Sequence, residues 1–131
     1  MVGDPIGDFI TRLMNAGAVK KETIEIPYSH MKHAVADRLV SLGYLKGATK
    51  RGKKVKKTLE IELKYEKSGR SEIRGVKRIS KPGRRMYTTA FEIRPVRFGK
   101  GKLILSTPQG IMSGDDARKA NIGGEKLFSI W

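Results

Sequence analysis

At residues 59–66 the sequence LEIELKYE alternates apolar and charged side chains. The apolar members, Leu59, Ile61, Leu63 and Tyr65, recur with a period of two, which is the spacing of side chains on one face of a β-strand. The charged members fall on the opposite face. The run therefore predicts a strand with one face in a core and the other in water.

Two helices and two strands are predicted before this strand. Asp4 and Pro5 match an N-cap followed by a proline at the first helical position, and a helical apolar stripe follows as far as Gly17. A strand is expected over residues 19–26. The second helix should be capped by Ser29, and its apolar stripe comprises Met31, Val35, Leu39 and Leu42.

Gly43 is placed to end this second helix, and Tyr44-Leu45 then begins another strand. That strand enters a lysine-rich stretch, which we expect to form a hairpin tip around Gly52 before the strand at residues 59–66. Residues 1–68 are thus predicted to be an α-β-α-β-β module, with its helices on one face of a small sheet.

The remaining sequence, residues 69–131, predicts a mainly β module with one short helix. Strands are expected at residues 72–79, 103–105 and 127–131, with residues 111–112 pairing nearby. Lys81-Pro82-Gly83-Arg84 has the composition of a turn. The residues from Ser113 to Asp116 match a capping pattern for a helix that reaches Ala120. The chain is therefore predicted to be an α+β protein of two small modules.

Length and composition exclude several classes of protein. The chain has 131 residues, enough for one ordinary domain or two small modules that share a core. It contains no cysteine, which excludes disulfides, thiolate metal sites and cysteine nucleophiles and fits a cytoplasmic location. No apolar stretch is long enough to span a membrane, and no signal peptide is visible.

The net charge of +15 is concentrated in the middle of the chain. Residues 1–45 and 103–131 are each neutral, so residues 46–102 carry the whole excess. Residues 46–57 hold seven lysines and arginines and no acid, and a second basic cluster spans residues 74–85. These runs are either solvated surface or a surface that contacts the phosphates of a nucleic acid, and the size of the excess favours the second interpretation.

Candidate catalytic and metal-binding residues are few. His30 and His33 could face a metal from one helix, but no third ligand follows at a suitable spacing. Asp115 and Asp116 are better explained by the favourable interaction of carboxylates with the start of a helix. No glycine-rich phosphate loop and no nucleophile–histidine arrangement is present. The sequence therefore predicts neither an enzyme, nor a metal site, nor a cofactor.

A turn at residues 106–110 follows a predicted buried strand. Its Ser106 and Thr107 hydroxyls can donate and accept hydrogen bonds, which suits base edges and ribose 2′-hydroxyls, although the spacing alone also fits an ordinary turn. Tyr87, which follows Arg84 and Arg85, is equally suited to stacking on a base and to filling a core. Both alternatives remain open at this point.

Three blocks of the chain, in order, resemble the small-subunit ribosomal protein eight family. The most specific is the C-terminal block, which includes LSTPQGIM at residues 105–112, DARK at 116–119 and GGE at 123–125. The central block is GVKRISKPGRR at residues 75–85 followed by Tyr87, and the N-terminal block includes Asp4-Pro5-Ile6 and Thr11-Arg12. Together they cover essentially the whole chain.

The resemblance implies two tightly associated modules that bind the central domain of small-subunit rRNA and direct assembly. It also implies a ribosomal, cytoplasmic location, contacts with neighbouring small-subunit proteins, and binding to the operon's own messenger RNA. Pro108 departs from the family pattern, because proline removes a backbone donor beside the Ser-Thr pair. The RNA-binding residues carried over by motif are Ser106, Thr107, Gly124, Glu125, Tyr87, Lys81, Arg84, Arg85, Arg78 and Arg12.

Two other functions remain as alternatives on the residues alone. A small nuclease would need metal-dependent turnover, and the lack of a carboxylate–histidine cluster disfavours it. A generic basic DNA-binding or nucleoid module would bind duplex DNA and structured RNA equally well.

Overall fold

The computed structural model describes residues 4–53 and 55–131; Lys54, a member of the predicted basic run, lies outside the described residues. The contacts divide the described chain into two compact units, residues 8–74 and residues 4–7 with 75–131. Helices and strands are both present, and the strands form two antiparallel sheets. The predicted α+β class is thus confirmed.

The two units differ in extent from the modules predicted at residues 1–68 and 69–131, which remain a prediction. Residues 69–74 stay with the preceding strand because the chain turns back on it: Glu66 N–H donates to the Arg70 carbonyl, and Glu72 N–H donates to the Lys64 carbonyl. Residues 4–7 group with the C-terminal half, where Asp4 is paired with Arg78.

The first unit follows the predicted α-β-α-β-β order. Its elements are α1 (Pro5–Ala18), β1 (Thr23–Pro27), α2 (His30–Ser41), β2 (Leu45–Arg51) and β3 (Thr58–Leu63), with α1 starting just before the unit begins. β3 is the central strand, because it pairs with both β1 and β2. Its apolar side chains are buried, together with Phe9, Leu13 and Leu39 from the helices. The alternation at residues 59–63 thus supplies one side of the core.

The second unit is a mainly β structure with one short α-helix, as predicted, and its described residues also include two 3-10 turns, Ala90–Glu92 and Arg97–Gly99. Its elements are β4 (Val76–Arg78), β5 (Tyr87–Thr88), β6 (Lys102–Thr107), β7 (Gly110–Ser113), α3 (Gly114–Lys119) and β8 (Gly124–Ile130). β8 lies in the middle, with β6 and then β7 on one side and β4 and β5 on the other. Leu103 and Leu105 of β6 pack with Ile93 and Ala117 in a buried cluster.

Several predicted boundaries are wrong, each for a local reason. The strand predicted at residues 19–26 begins only at Thr23, because Lys20 has a left-handed backbone with φ of 60° at the end of α1. The strand predicted at residues 72–79 shrinks to three residues, and Ile73 N–H donates instead to the Ser71 hydroxyl. β8 starts three residues earlier than predicted, at Gly124.

β4 and β5 behave as one edge strand that is interrupted by a short excursion. After β4, the N–H groups of Ile79 and Ser80 continue the ladder by donating to the carbonyls of Leu127 and Lys126 on β8. The ladder resumes where Lys126 N–H donates to the Met86 carbonyl, and β5 then pairs with Glu125 and Gly124. Residues 81–85 leave the sheet between these points, and we call them the basic loop.

Candidate nucleic-acid interface

Three strands of the second unit bring Tyr87, Glu125 and Ser106 into one cross-strand row. Glu125 on β8 lies directly opposite Tyr87 on β5 and, on its other side, directly opposite Ser106 on β6. Side chains at directly opposed positions of antiparallel strands point to the same face of the sheet. The Tyr87 side chain is 68% exposed, so its ring is available to stack rather than committed to the core.

Gly124 permits the strands to approach closely beside this row. A Cβ atom at this position would lie 2.2 Å from the carbonyl oxygen of Ser106, nearer than any side-chain carbon can come. Only glycine lets β8 pass that close to the end of β6 without displacing one of them. The structure thus gives Gly124 a packing role in the shape of the surface.

Thr107 differs from its neighbour Ser106, because the Thr107 hydroxyl forms hydrogen bonds within the turn that joins β6 to β7. The hydroxyl donates to the Gly110 carbonyl at 2.7 Å and accepts from Gln109 N–H at 3.2 Å. Pro108 lies at the exposed corner of this turn. The proton of Thr107 is therefore engaged within the turn, which makes the half-buried Ser106 the hydroxyl better placed to donate to a ligand.

The basic loop is closed at its neck by Ser80. This side chain is fully buried, and its hydroxyl accepts from Met86 N–H at 2.9 Å and donates to the Met86 carbonyl at 3.2 Å. Lys81 and Arg84 then exchange both backbone hydrogen bonds across the turn, as the Pro82-Gly83 sequence predicts. Lys81, Arg84 and Arg85 are exposed on a loop that is held at both ends.

Arg85 connects the basic loop to the cross-strand row. Its Nη1 lies 3.1 Å from Oε2 of Glu125, and the Glu125 side chain is mostly buried while that of Arg85 is about half exposed. The carboxylate therefore positions the guanidinium beside Tyr87 and Ser106. This ion pair joins the basic loop to the row, and we refer to the loop, the row and Gly124 together as the candidate surface.

Two of the arginines that the family resemblance implicates have hydrogen-bond partners within their own units. Arg78 is 12% exposed, and its guanidinium donates to both oxygens of Asp4 and to the Leu127 carbonyl. These hydrogen bonds hold the pKa of the Asp4 carboxyl below its usual range, although partial burial opposes the shift. Arg12 lies in the other unit, where it is exposed and donates to the Glu25 carbonyl.

Ser80 is the residue of this surface that sequence reasoning missed. A serine within a basic cluster has no distinctive spacing, and its importance arises only because the pairing with β8 brings residues 80 and 86 together. A related pattern, a polar residue that flanks a Pro-Gly turn, is the weak signal that was available.

The other residues considered for chemistry have structural partners. His30 and His33 lie edge-on to the Tyr28 ring, and His33 is 3.6 Å from Asp37. Asp115 follows the Ser113 N-cap of α3, and the hydrogen bond from Lys102 Nζ lowers the pKa of its carboxyl.

Metal-binding clusters and membrane-spanning helices are both absent from residues 4–53 and 55–131. In these ranges no group of three or more histidine or acidic side chains is arranged to hold a metal, and no helix is long and apolar enough to span a membrane.

Comparisons with known proteins agree on one family. A family description for ribosomal protein S8 matches residues 4–131. The small ribosomal subunit protein uS8 of Mesoplasma florum is 47% identical over 131 residues, which covers 100% of both chains. The proteins of the same name from Mycoplasmopsis synoviae and Roseiflexus castenholzii are 45% and 44% identical, and in each case the match covers at least 97% of both chains.

Proposed function

Because this chain belongs to the ribosomal protein S8 family, we propose that it is a constituent of the small ribosomal subunit that binds small-subunit rRNA and directs its assembly. In finer detail, its target is the central domain of that rRNA, its neighbours are other small-subunit proteins, and it works in the cytoplasm without catalysing a reaction. Repression of its own operon's messenger RNA belongs to the same proposal, because one surface can bind two RNAs of similar shape.

The observation that carries this proposal is the cross-strand row of Tyr87, Glu125 and Ser106 beside the basic loop. An exposed aromatic ring can stack on an unpaired base, and a hydroxyl and a carboxylate can hydrogen-bond base edges or 2′-hydroxyls. Regular RNA helices hide their base edges in a deep major groove, so this combination suits a helix with an irregular, opened feature.

The proposed surface separates selection from affinity. The row selects the RNA through hydrogen bonds and stacking, while Lys81, Arg84 and Arg85 supply affinity by neutralising phosphates and releasing counterions. Arg78 is left out of this surface because its donors are engaged with Asp4 and Leu127. Arg12 is proposed as a separate point of attachment to the RNA.

Two variants test this division of labour. Ser106→Ala combined with Thr107→Ala should lower the affinity for the specific rRNA fragment and leave the salt dependence nearly unchanged. Arg84→Gln combined with Arg85→Gln should flatten the dependence of log K on log salt by about 0.7–0.9 for each phosphate that is no longer neutralised. The measurement is filter binding to the specific fragment and to random RNA over a range of salt concentrations.

The single variant Ser106→Ala is a useful companion, because it leaves the Thr107 turn intact. If both pairs of substitutions weakened binding to specific and random RNA equally, the separation would be wrong. Equal affinity of the unmodified protein for duplex DNA would favour a generic nucleic-acid-binding module instead, and metal-dependent cleavage of labelled RNA would favour a nuclease.

A further inference from the structure

The tip of the β2–β3 hairpin in the first unit carries a dense group of cations. We define the hairpin tip as residues 50–53 and 55–57. Its described lysines and arginines are all exposed, and residues 46–57 contain no acid. Val55 is 95% exposed among them. The described cations of the tip are Lys50, Arg51, Lys53, Lys56 and Lys57.

Among the described residues, only part of the charge of the tip is balanced within the unit. Arg51 Nη2 lies 3.1 Å from Oε1 of Glu60, and the Lys50 ammonium lies 4.6 Å from the centroid of the Tyr28 ring. A cation–π contact orients a lysine without neutralising its charge. The cluster therefore keeps a net positive potential that attracts an anionic partner.

The outer face of the same sheet has the opposite charge. Glu25 and Glu60 lie directly opposite each other on β1 and β3, and Glu62 lies two residues further along β3 on the same face. The other face carries Ile26, Leu59 and Ile61, which are buried. A phosphate backbone would be repelled from the glutamate face, so an RNA that contacts this hairpin should meet its tip.

The tip has a defined backbone rather than only a composition. Gly52 has φ of 94°, and a Cβ atom there would lie 2.1 Å from the Lys56 carbonyl oxygen. Lys56 N–H donates to the Lys53 carbonyl, and Tyr28 N–H donates to the Lys57 carbonyl at 3.2 Å. These contacts hold lysines from both ends of the loop close together.

We propose that the hairpin tip is a second RNA-binding site, which grips phosphates without reading sequence. The proposal rests on the proposed function, because the RNA it binds is the one selected by the row in the other unit. Phosphate is favoured over a protein partner because the described residues of the tip expose five cations and only one apolar side chain, Val55, which is too little apolar surface for a folded partner.

The test compares two triple variants with the same change in net charge. Lys53, Lys56 and Lys57 are each changed to Gln in one protein. Lys64, Lys67 and Arg70, which are exposed cations of the same unit outside the tip, are each changed to Gln in the control. Binding to a long small-subunit rRNA transcript and to random RNA is measured over a range of salt concentrations.

We expect the tip variant to bind both RNAs about tenfold or more weakly, with a salt slope reduced by about 2–3, since each phosphate released from a lysine lowers the slope by up to about 0.9. The control should change much less. The preference for the specific transcript over random RNA should persist in the tip variant. A loss of that preference would instead indicate damage to the row, which is proposed to select the RNA.

Equal decreases in affinity in the tip and control variants would overturn the proposal. That result would not bear on the proposed role of Ser106 in selecting the RNA. Unchanged RNA affinity combined with poor incorporation into subunits would also overturn it, because the partner would then be a protein. Gly52→Ala keeps every charge but opens the turn, so it should weaken RNA binding as well. An unchanged affinity in that variant would also overturn the proposal, because the site as argued depends on the backbone contacts that hold the tip lysines together.

Discussion

Removing the Ser80 hydroxyl should remove the hydrogen bonds that fix the two ends of the basic loop, while leaving all of the loop's charges in place. In Ser80→Ala, Met86 N–H loses its partner in a buried neck, while the Met86 carbonyl keeps its bond from Lys126 N–H. One orphaned donor of this kind costs about 1–3 kcal/mol. We expect the free energy of unfolding to fall by about 2 kcal/mol, measured by chemical denaturation.

The same decrease sets an upper limit on the change in RNA affinity. About 2 kcal/mol corresponds to roughly a 30-fold shift between the closed and the open loop, so binding to the specific rRNA fragment should weaken by up to that factor. Ser129→Ala, at a buried serine on β8 outside the neck, is the control. Unchanged affinity in Ser80→Ala, or an equal decrease in the control, would refute the positioning role.

Two further substitutions test the supports of this surface. Arg78→Met should lower the free energy of unfolding by about 2 kcal/mol at neutral pH, because charge-assisted hydrogen bonds to Asp4 are removed. Since the pKa of Asp4 is lowered in the folded state, this stabilisation is present above about pH 4 and disappears as the pH falls further. The free energy of unfolding of the variant should therefore depend less on pH in the acid range. An unchanged pH dependence would contradict the pairing. Gly124→Ala should weaken both stability and RNA binding, because its Cβ would meet the Ser106 carbonyl, whereas Gly83→Ala, with open space around it, should change stability little; equal effects would contradict the argument from close approach.

Elements with a strong local signal were predictable from the sequence. The period-two run at residues 59–63 forms β3, and Ser29 and Ser113 cap helices as their positions suggest, each accepting from the N–H three residues later. Gly43 follows the second helix with φ of 90°. Periodicity, caps and glycines act over a few residues, so they can be read before the tertiary structure is known.

Features that depend on distant pairing were not predictable. Arg78 has the same sequence character as its basic neighbours, but its partner Asp4 lies 74 residues away. Thr107 looks equivalent to Ser106 until the turn shows its hydroxyl engaged with Gly110. β5 and the early start of β8 form because β8 offers hydrogen-bonding groups on both edges, which no local propensity describes.

The interrupted edge strand has a consequence for how such a surface can change over generations. The backbone of Lys126 pairs with Ser80 before the excursion and with Met86 after it. Residues can therefore be inserted, deleted or exchanged within 81–85 without shifting the register of any strand. Lengthening a closed loop costs little additional entropy. Natural variation can therefore retune how tightly the protein holds its target while the scaffold beneath stays the same.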